Sequence, residues 1–158
     1  MKEKEKKRAN IQVKEPKECN CRKEECPLEG ECIVESVVYK AKIKDKNSNE
    51  VVYYGSTDGH FKQRLYNHRT DFRFDKNKNN TTLAQHVWKM KEKKESVNVK
   101  WSIVKKCKKY KSGSKMCDVC LSEKLEILKG RKKGEKMLNK TSELKNKCRH
   151  KRKCILEP

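Results

Sequence analysis

The stretch VVYYGSTDGHFKQRLYNH, residues 51–68, decides how the chain folds. It opens with β-branched and aromatic residues and turns at Gly55. It then passes into a segment where Phe61 and Leu65 recur at helical spacing. Residues 37–43 read like its first half: Val37, Tyr39, Ala41 and Ile43 alternate with Val38, Lys40 and Lys42. Between the two runs lies Asp45-Lys46-Asn47-Ser48-Asn49-Glu50, whose polar, turn-forming composition predicts a hairpin. Tyr39 and Tyr53, on paired strands, can then lie close together on one face.

Further along, the spacing predicts a helix over 59–72, with Asp58 as N-cap and Phe61, Leu65 and Phe72 on one side. Residues 75–80 form a loop. A second helix over 81–93 carries Leu83, Val87 and Met90 on one stripe. Val97, Val99, Trp101 and Ile103 alternate as a third strand, and a basic loop fills 105–115. A third helix over 118–129 is expected to turn Leu121, Leu125 and Leu128 toward a core. The order β-β-α-α-β-α predicts an α+β domain: a small three-stranded, largely antiparallel sheet flanked by helices.

The chain has 158 residues, of which 33% are apolar and 41% charged. That supports one small core, helped by metals or a partner. Lys and Arg total 43 against 22 Asp and Glu, for a net charge of +21. Such an excess points to an anionic partner, and nucleic acid comes before a membrane surface because no basic amphipathic helix is visible. No run is long and apolar enough to span a membrane, and no apolar stretch follows the basic start as in a leader. The chain is expected to be intracellular, not secreted. Residues 1–18 read as a basic disordered tail or linker, and 145–158 as a basic C-terminal tail.

Nine cysteines in such a chain argue for metal ligation over disulfides. Cys19, Cys21, Cys26 and Cys32 follow C-x-C-x4-C-x5-C, four soft thiolates suited to a closed tetrahedral zinc site within a segment spanning 19–35. Cys117, Cys120, Cys148 and His150 offer a second set from two well-separated pairs. Cys107 and Cys154 are left over. Either can replace a member of the second set, and Cys154 is the preferred substitute for His150.

Residues suited to phosphodiester chemistry are spread through 36–144. Arg64 and His68, at i and i+4, project from one side of a helix. Glu123 lies roughly 200° around its helix from Leu121. Asn139 closes the short Met137-Leu138-Asn139 segment. His60 can cap a helix or touch phosphate, and His86 reads as structural.

Taken together, these residues resemble the GIY-YIG nuclease family. Val37-Val38-Tyr39 stands where that family has its first motif. Tyr53-Tyr54-Gly55 stands at the second, followed by the Arg-x-x-x-His helix at Arg64 and His68. Glu123 and Asn139 come in the family's order and approximate spacing. The first motif lacks its Gly and Ile, and Tyr54 replaces Ile in the second. The chain looks closer still to the endonuclease domain of Penelope-like retroelements. The stretches that carry this are Cys26–Leu28, Val37–Ala41, Cys117–Lys124, Leu138–Leu144 and Cys148–His150.

The resemblance implies a metal-dependent DNA endonuclease over 36–144. Tyr39 and Tyr53 would flank the attacking water, one as general base with help from His68. Arg64 would clamp the phosphate, Glu123 would bind one magnesium or manganese ion, and Asn139 would orient Glu123 or touch phosphate. Lys62, Arg64, Arg69, Lys105, Lys106, Lys108 and Lys109 would contact nucleic acid. The implied partners are duplex DNA, element RNA and a reverse transcriptase domain upstream in the same polypeptide, and the implied compartment is the nucleus. The competing expectations are a non-catalytic, zinc-containing nucleic-acid-binding module and an RNA nuclease or RNA-binding unit.

Overall fold

A computed structural model of the protein describes residues 19, 21 and 26–150. The tail expected over 1–18 lies outside the described residues, as do Cys154 and the rest of the C-terminal tail beyond 150. The hairpin forms from β1 (Glu35–Lys44) and β2 (Glu50–His60), which pair antiparallel. Its turn is built on Asp45, whose Oδ1 accepts the N–H groups of Asn47 at 2.8 Å and Asn49 at 2.9 Å. This is the local side-chain bonding that makes Asx residues turn formers. The third strand, β3 (Val99–Lys106), pairs antiparallel with the other side of β1. The sheet order is therefore β2-β1-β3. With α1 (Phe61–Arg73), α2 (Thr82–Glu92) and α3 (Asp118–Lys132), the architecture is α+β.

Strand alternation sorts the core into two. Val37, Tyr39, Ala41, Ile43, Val51 and Tyr53 pack with Phe61 and Leu65 of α1 and Leu83, Val87 and Met90 of α2. The neighbouring β2 residues, Val52 and Tyr54, face the other way and pack on Ile127 of α3. Each helix buries a face against one side of the sheet, as the period-2 alternation requires.

Three expectations need correction. First, Asp58 does not cap α1. Strand β2 runs on to His60, which takes the N-cap position without a side-chain cap bond. The helix instead receives carbonyls from the cysteine-rich segment: Phe61 N–H donates to Val34 O at 3.1 Å and Lys62 N–H to Cys32 O at 2.7 Å. Those bonds satisfy donors that a helix start otherwise leaves orphaned. Second, the leucine stripe of α3 faces outward, with Leu125 40% and Leu128 39% exposed. The buried face is Val119, Ser122, Lys124, Ile127 and Gly130. Gly130 explains the choice, since a Cβ there would lie 3.0 Å from the Tyr54 ring. Only the face with a glycine lets α3 settle onto β2. Third, β3 starts at Val99, so Val97 stands outside the strand. Thr81, by contrast, caps α2, its Oγ1 accepting Ala84 N–H at 3.0 Å.

As an edge strand, β2 would present unpaired backbone groups. Residues 136–139 cover part of that edge. Val52 N–H donates to Lys136 O at 2.9 Å, and Leu138 N–H to Val52 O at 2.8 Å.

Candidate active site and metal centres

Tyr39 is fully buried on β1, and its ring crosses over Gly55 of β2. Its hydroxyl lies 2.4 Å from where a Cβ at Gly55 would stand. Only glycine leaves that space. From α1, Arg64 Nε–H donates to the Tyr39 oxygen at 3.1 Å. Tyr39 Oη also lies 2.7 Å from His68 Nε2. A guanidinium can only donate, and in the Nδ1–H tautomer of His68 the phenol donates to Nε2. His68 then carries its own proton on Nδ1, an atom that is buried and has no partner among the described residues. The result is a directed chain, Arg64 to Tyr39 to His68.

His68 sits among aromatic rings: Trp101 at 5.3 Å, Tyr39 at 5.7 Å, and Phe72 and Tyr53 each at 6.1 Å between centroids. Burial, followed by the Arg64 charge, lowers its pKa to about 3, so the imidazole is neutral near pH 7. Tyr39 has its pKa raised by burial, with Arg64 and Arg149 pulling the other way. Tyr53 is also raised, first by burial and then by Tyr39 and Glu123. Arg64 stays charged because Tyr39, Tyr53 and Glu123 outweigh its burial.

Glu123 reaches this group from α3. Its Oε2 accepts from Ser56 Oγ at 2.5 Å, and Ser56 shares the alternation of Val52 and Tyr54. The carboxylate thus approaches β2 from the α3 side, while Tyr39 and Arg64 approach from the α1 side, so the strand stands between them. Glu123 acts on the charge states of Tyr39, Tyr53 and Arg64. It forms no salt bridge among the described residues, unlike its neighbours in sequence. Glu126 pairs with Lys129 at 2.9 Å and Glu135 with Lys40 at 2.8 Å. One half-buried carboxylate is a single donor group, so any divalent ion there would keep most of its waters.

Asn139 stands elsewhere than expected. Its Oδ1 accepts Tyr54 N–H and its Nδ2 donates to Tyr54 O, both at 2.8 Å. The side-chain amide continues the backbone ladder along the β2 edge and makes no bond to Glu123. The sequence reading missed Ser56, Arg149 and Glu143. Ser56 Oγ accepts from Arg149 Nη2 at 3.2 Å. Glu143, its pKa raised by burial first, feels Glu123 and has a buried Oε2 without a partner. Nothing in the spacing marked Ser56, because a small polar residue in a strand is unremarkable in sequence.

The basic contact set is scattered. Lys105 faces Asp118 at 3.8 Å, Lys106 faces Glu31 at 3.2 Å and Lys109 faces Glu35 at 3.1 Å. The Lys108 backbone N–H bonds Asp118 at 2.8 Å. Lys62 Nζ lies 3.6 Å from Cys21 Sγ, and Arg69 is exposed. Exposed pairs of this kind are weak and exchange readily for phosphates. His60 Nδ1 is held 2.6 Å from Ile33 O. His86 is partly buried on α2, and burial lowers its pKa.

Two groups of cysteines converge closely enough to hold a metal ion. In the first, Cys19, Cys21, Cys26 and Cys32 have sulfurs within 4.8 Å of one another. The Cys32 Sγ lies 3.2 Å from that of Cys19 and 3.4 Å from that of Cys21. Tetrahedral zinc with bonds of about 2.3 Å spaces its sulfurs roughly 3.8 Å apart, so the donor set fits. Burial raises the Cys26 thiol, yet bonds from the Leu28 and Gly30 N–H groups and the neighbouring thiols bring it down to about 6. Cys32 is pushed up by burial and the thiols around it. A cation among them would let all four ionise.

The second group is Cys117, Cys120 and Cys148. His150 does not join it: its Nε2 lies 3.0 Å from Asp58 Oδ2 and its ring stacks on Tyr110 at 4.1 Å. A carboxylate competes with the metal for that imidazole, and a C-x-H spacing cannot reveal it. Cys107 packs against the three thiols. Comparison of the chain with protein families, curated proteins and solved structures finds no match.

Proposed function

We propose that the chain is a metal-dependent DNA endonuclease of the GIY-YIG type. It hydrolyses phosphodiester bonds, nicking target DNA to prime reverse transcription in a Penelope-like retroelement. The observation that carries this reading is the bonded chain from Arg64 through Tyr39 to His68, with the unpaired Glu123 carboxylate in electrostatic reach. Arg64, bonded to Tyr39 Oη, stabilises the tyrosinate that would take the proton of the attacking water, and His68, held neutral by burial, orients that oxygen. Arg64 holds the phosphate and stabilises its developing charge. Tyr53 bounds the water on the His68 side. Magnesium or manganese on Glu123 would offset phosphate charge and stabilise the leaving oxygen. Zinc at the two thiol clusters is structural, the first bracing the start of α1 and the second the start of α3. Asn139 supports the site by holding the β2 edge. The net charge of +21 supplies salt-dependent attraction to duplex DNA.

The test compares supercoiled plasmid cleavage in magnesium by the wild type, Arg64→Ala and Glu123→Ala. Each variant should lose about 10²–10³-fold in rate while keeping DNA binding. If all three bind DNA and none cuts, the chain is a non-catalytic, zinc-containing nucleic-acid-binding module. If single-stranded RNA is cut in preference to duplex DNA, the substrate is reassigned.

A further inference from the structure

The second thiol cluster has a neighbour that no zinc role explains. Cys148 lies in the cluster, and the next residue, Arg149, gives its backbone N–H to Cys120. The Arg149 side chain then turns to β2, where Nη2 donates to Ser56 O at 3.0 Å and to Ser56 Oγ at 3.2 Å. That same Ser56 hydroxyl donates to Glu123. The next residue again, His150, is pinned on Asp58, two positions along β2 from Ser56. Three consecutive residues thus fasten the tail to the end of the strand that carries Tyr53 and Gly55.

We propose that Arg149 is a second phosphate-binding guanidinium of the cleavage site, opposite Arg64, and that a metal ion on Cys117, Cys120 and Cys148 exists to place it there. The inference rests on the endonuclease reading. Several features argue for it. Both side-chain bonds of Arg149 to Ser56 use Nη2, and the residue is exposed, so the planar fork still offers donors to a phosphate oxygen. Its charge is felt at Tyr39 in the same sense as that of Arg64. Its link to Glu123 through Ser56 places it at the carboxylate proposed to hold the divalent ion. A tail residue would not hold this position by local packing, because 145–147 and 149–150 are exposed and only Cys148 is buried. The sulfur cluster is thus the buried part of the tether, and His150 on Asp58 and Tyr110 is its exposed part.

The experiment uses the full chain as wild type, Arg149→Ala, Arg149→Lys and Cys148→Ser, before and after the thiolate-bound metal is stripped by a chelator. Metal content is measured in each case. Plasmid cleavage in magnesium and duplex oligonucleotide binding in calcium are read in parallel. Arg149→Ala should keep its zinc and lose about 10²-fold in cleavage rate, with Arg149→Lys recovering part of it. Cys148→Ser should impose a similar loss on an Arg149-containing chain and almost none on Arg149→Ala, whereas stripping also empties the first cluster at the start of α1 and slows both. Equal losses from Cys148→Ser in the wild-type and Arg149→Ala backgrounds would overturn the tether. Wild-type cleavage by Arg149→Ala would overturn the phosphate role. If wild type cuts in no divalent ion, the endonuclease reading itself fails and binding judges Arg149 alone. Arg149→Ala must then weaken duplex binding only while the metal is present, and equal affinity overturns the inference.

Discussion

Tyr39 and Tyr54 are both buried tyrosines of one small sheet, and they end in opposite chemistry. Tyr54 points to α3, and its hydroxyl donates to Glu135 Oε2 at 2.7 Å. The other Glu135 oxygen takes Lys40 at 2.8 Å, and the same Lys40 lies over the Tyr54 ring at 5.2 Å. Charge and proton are both accounted for within three residues. Tyr39 points to α1 and stands between a donor, Arg64, and an acceptor, His68, whose far nitrogen is buried without a partner. A closed network holds a fold together. An open one leaves a buried N–H unpaired, at a cost that a purely structural face need not bear. Burial alone does not separate the two tyrosines; what each hydroxyl is bonded to does, and it is the reason Tyr39 is the one proposed for catalysis.

The largest effect that separates the two faces is acid sensitivity. His68 has its pKa lowered from 6.5 to about 3, so below pH 6.5 the unfolded chain takes up a proton that the folded chain refuses. The stability it contributes is complete above pH 6.5 and is lost as the pH falls toward 3. The slope is roughly 1.4 kcal/mol per pH unit within that window. Denaturant melts of wild type and His68→Gln at matched pH isolate it, because the thiol clusters titrate alike in both. Gln can accept from Tyr39 and does not ionise, so its stability should fall less steeply. Parallel profiles would remove His68 from the open network.

Next come the glycines beneath each tyrosine. Gly55→Ala sets a Cβ 2.4 Å from the Tyr39 hydroxyl, whose ring is fixed by Phe61, His68 and Trp101. It should destabilise by roughly 1–3 kcal/mol and abolish most cleavage by displacing the phenol. Gly130→Ala meets the flexible end of Met137 at 2.5 Å and the Tyr54 ring at 3.0 Å. It should lose a similar or smaller amount of stability and leave cleavage intact, as thermal melts and the plasmid assay would show.

Much of this was legible in the sequence, and the exceptions have causes. Alternation gave β1, and the β-branched and aromatic run gave β2, which is buried on both faces. The order of Tyr39, Arg64 and His68 was readable because i, i+4 spacing fixes which side a helix presents. The N-terminal cysteines converge as their spacing suggested, being local in sequence. What failed was non-local. The outward turn of Leu125 and Leu128 depends on Gly130 meeting Tyr54 across the sheet. The role of Asn139 depends on an edge that residues 136–138 leave partly covered. The partner of His150 is an aspartate 92 positions away in sequence, and no pattern within the tail announces it. Arg149 was hidden among many other cations, and only its bond to Ser56 distinguishes it.

The smallest effect is the most direct comparison of all. Tyr54→Phe deletes one hydroxyl and leaves Glu135 with Lys40 and partial access to water, its side chain being 23% exposed. A replaceable bond of that kind contributes on the order of 1 kcal/mol, so melting should shift slightly and cleavage should not change. Tyr39→Phe deletes the same atom from the other face, severing Arg64 from His68 at a buried position. If the two variants lost cleavage equally, the hydroxyl count of the sheet would matter and the bonding pattern would not. If Tyr54→Phe lost more, the chemistry would belong on the α3 face, with Glu135 and Lys40 in place of His68 and Arg64.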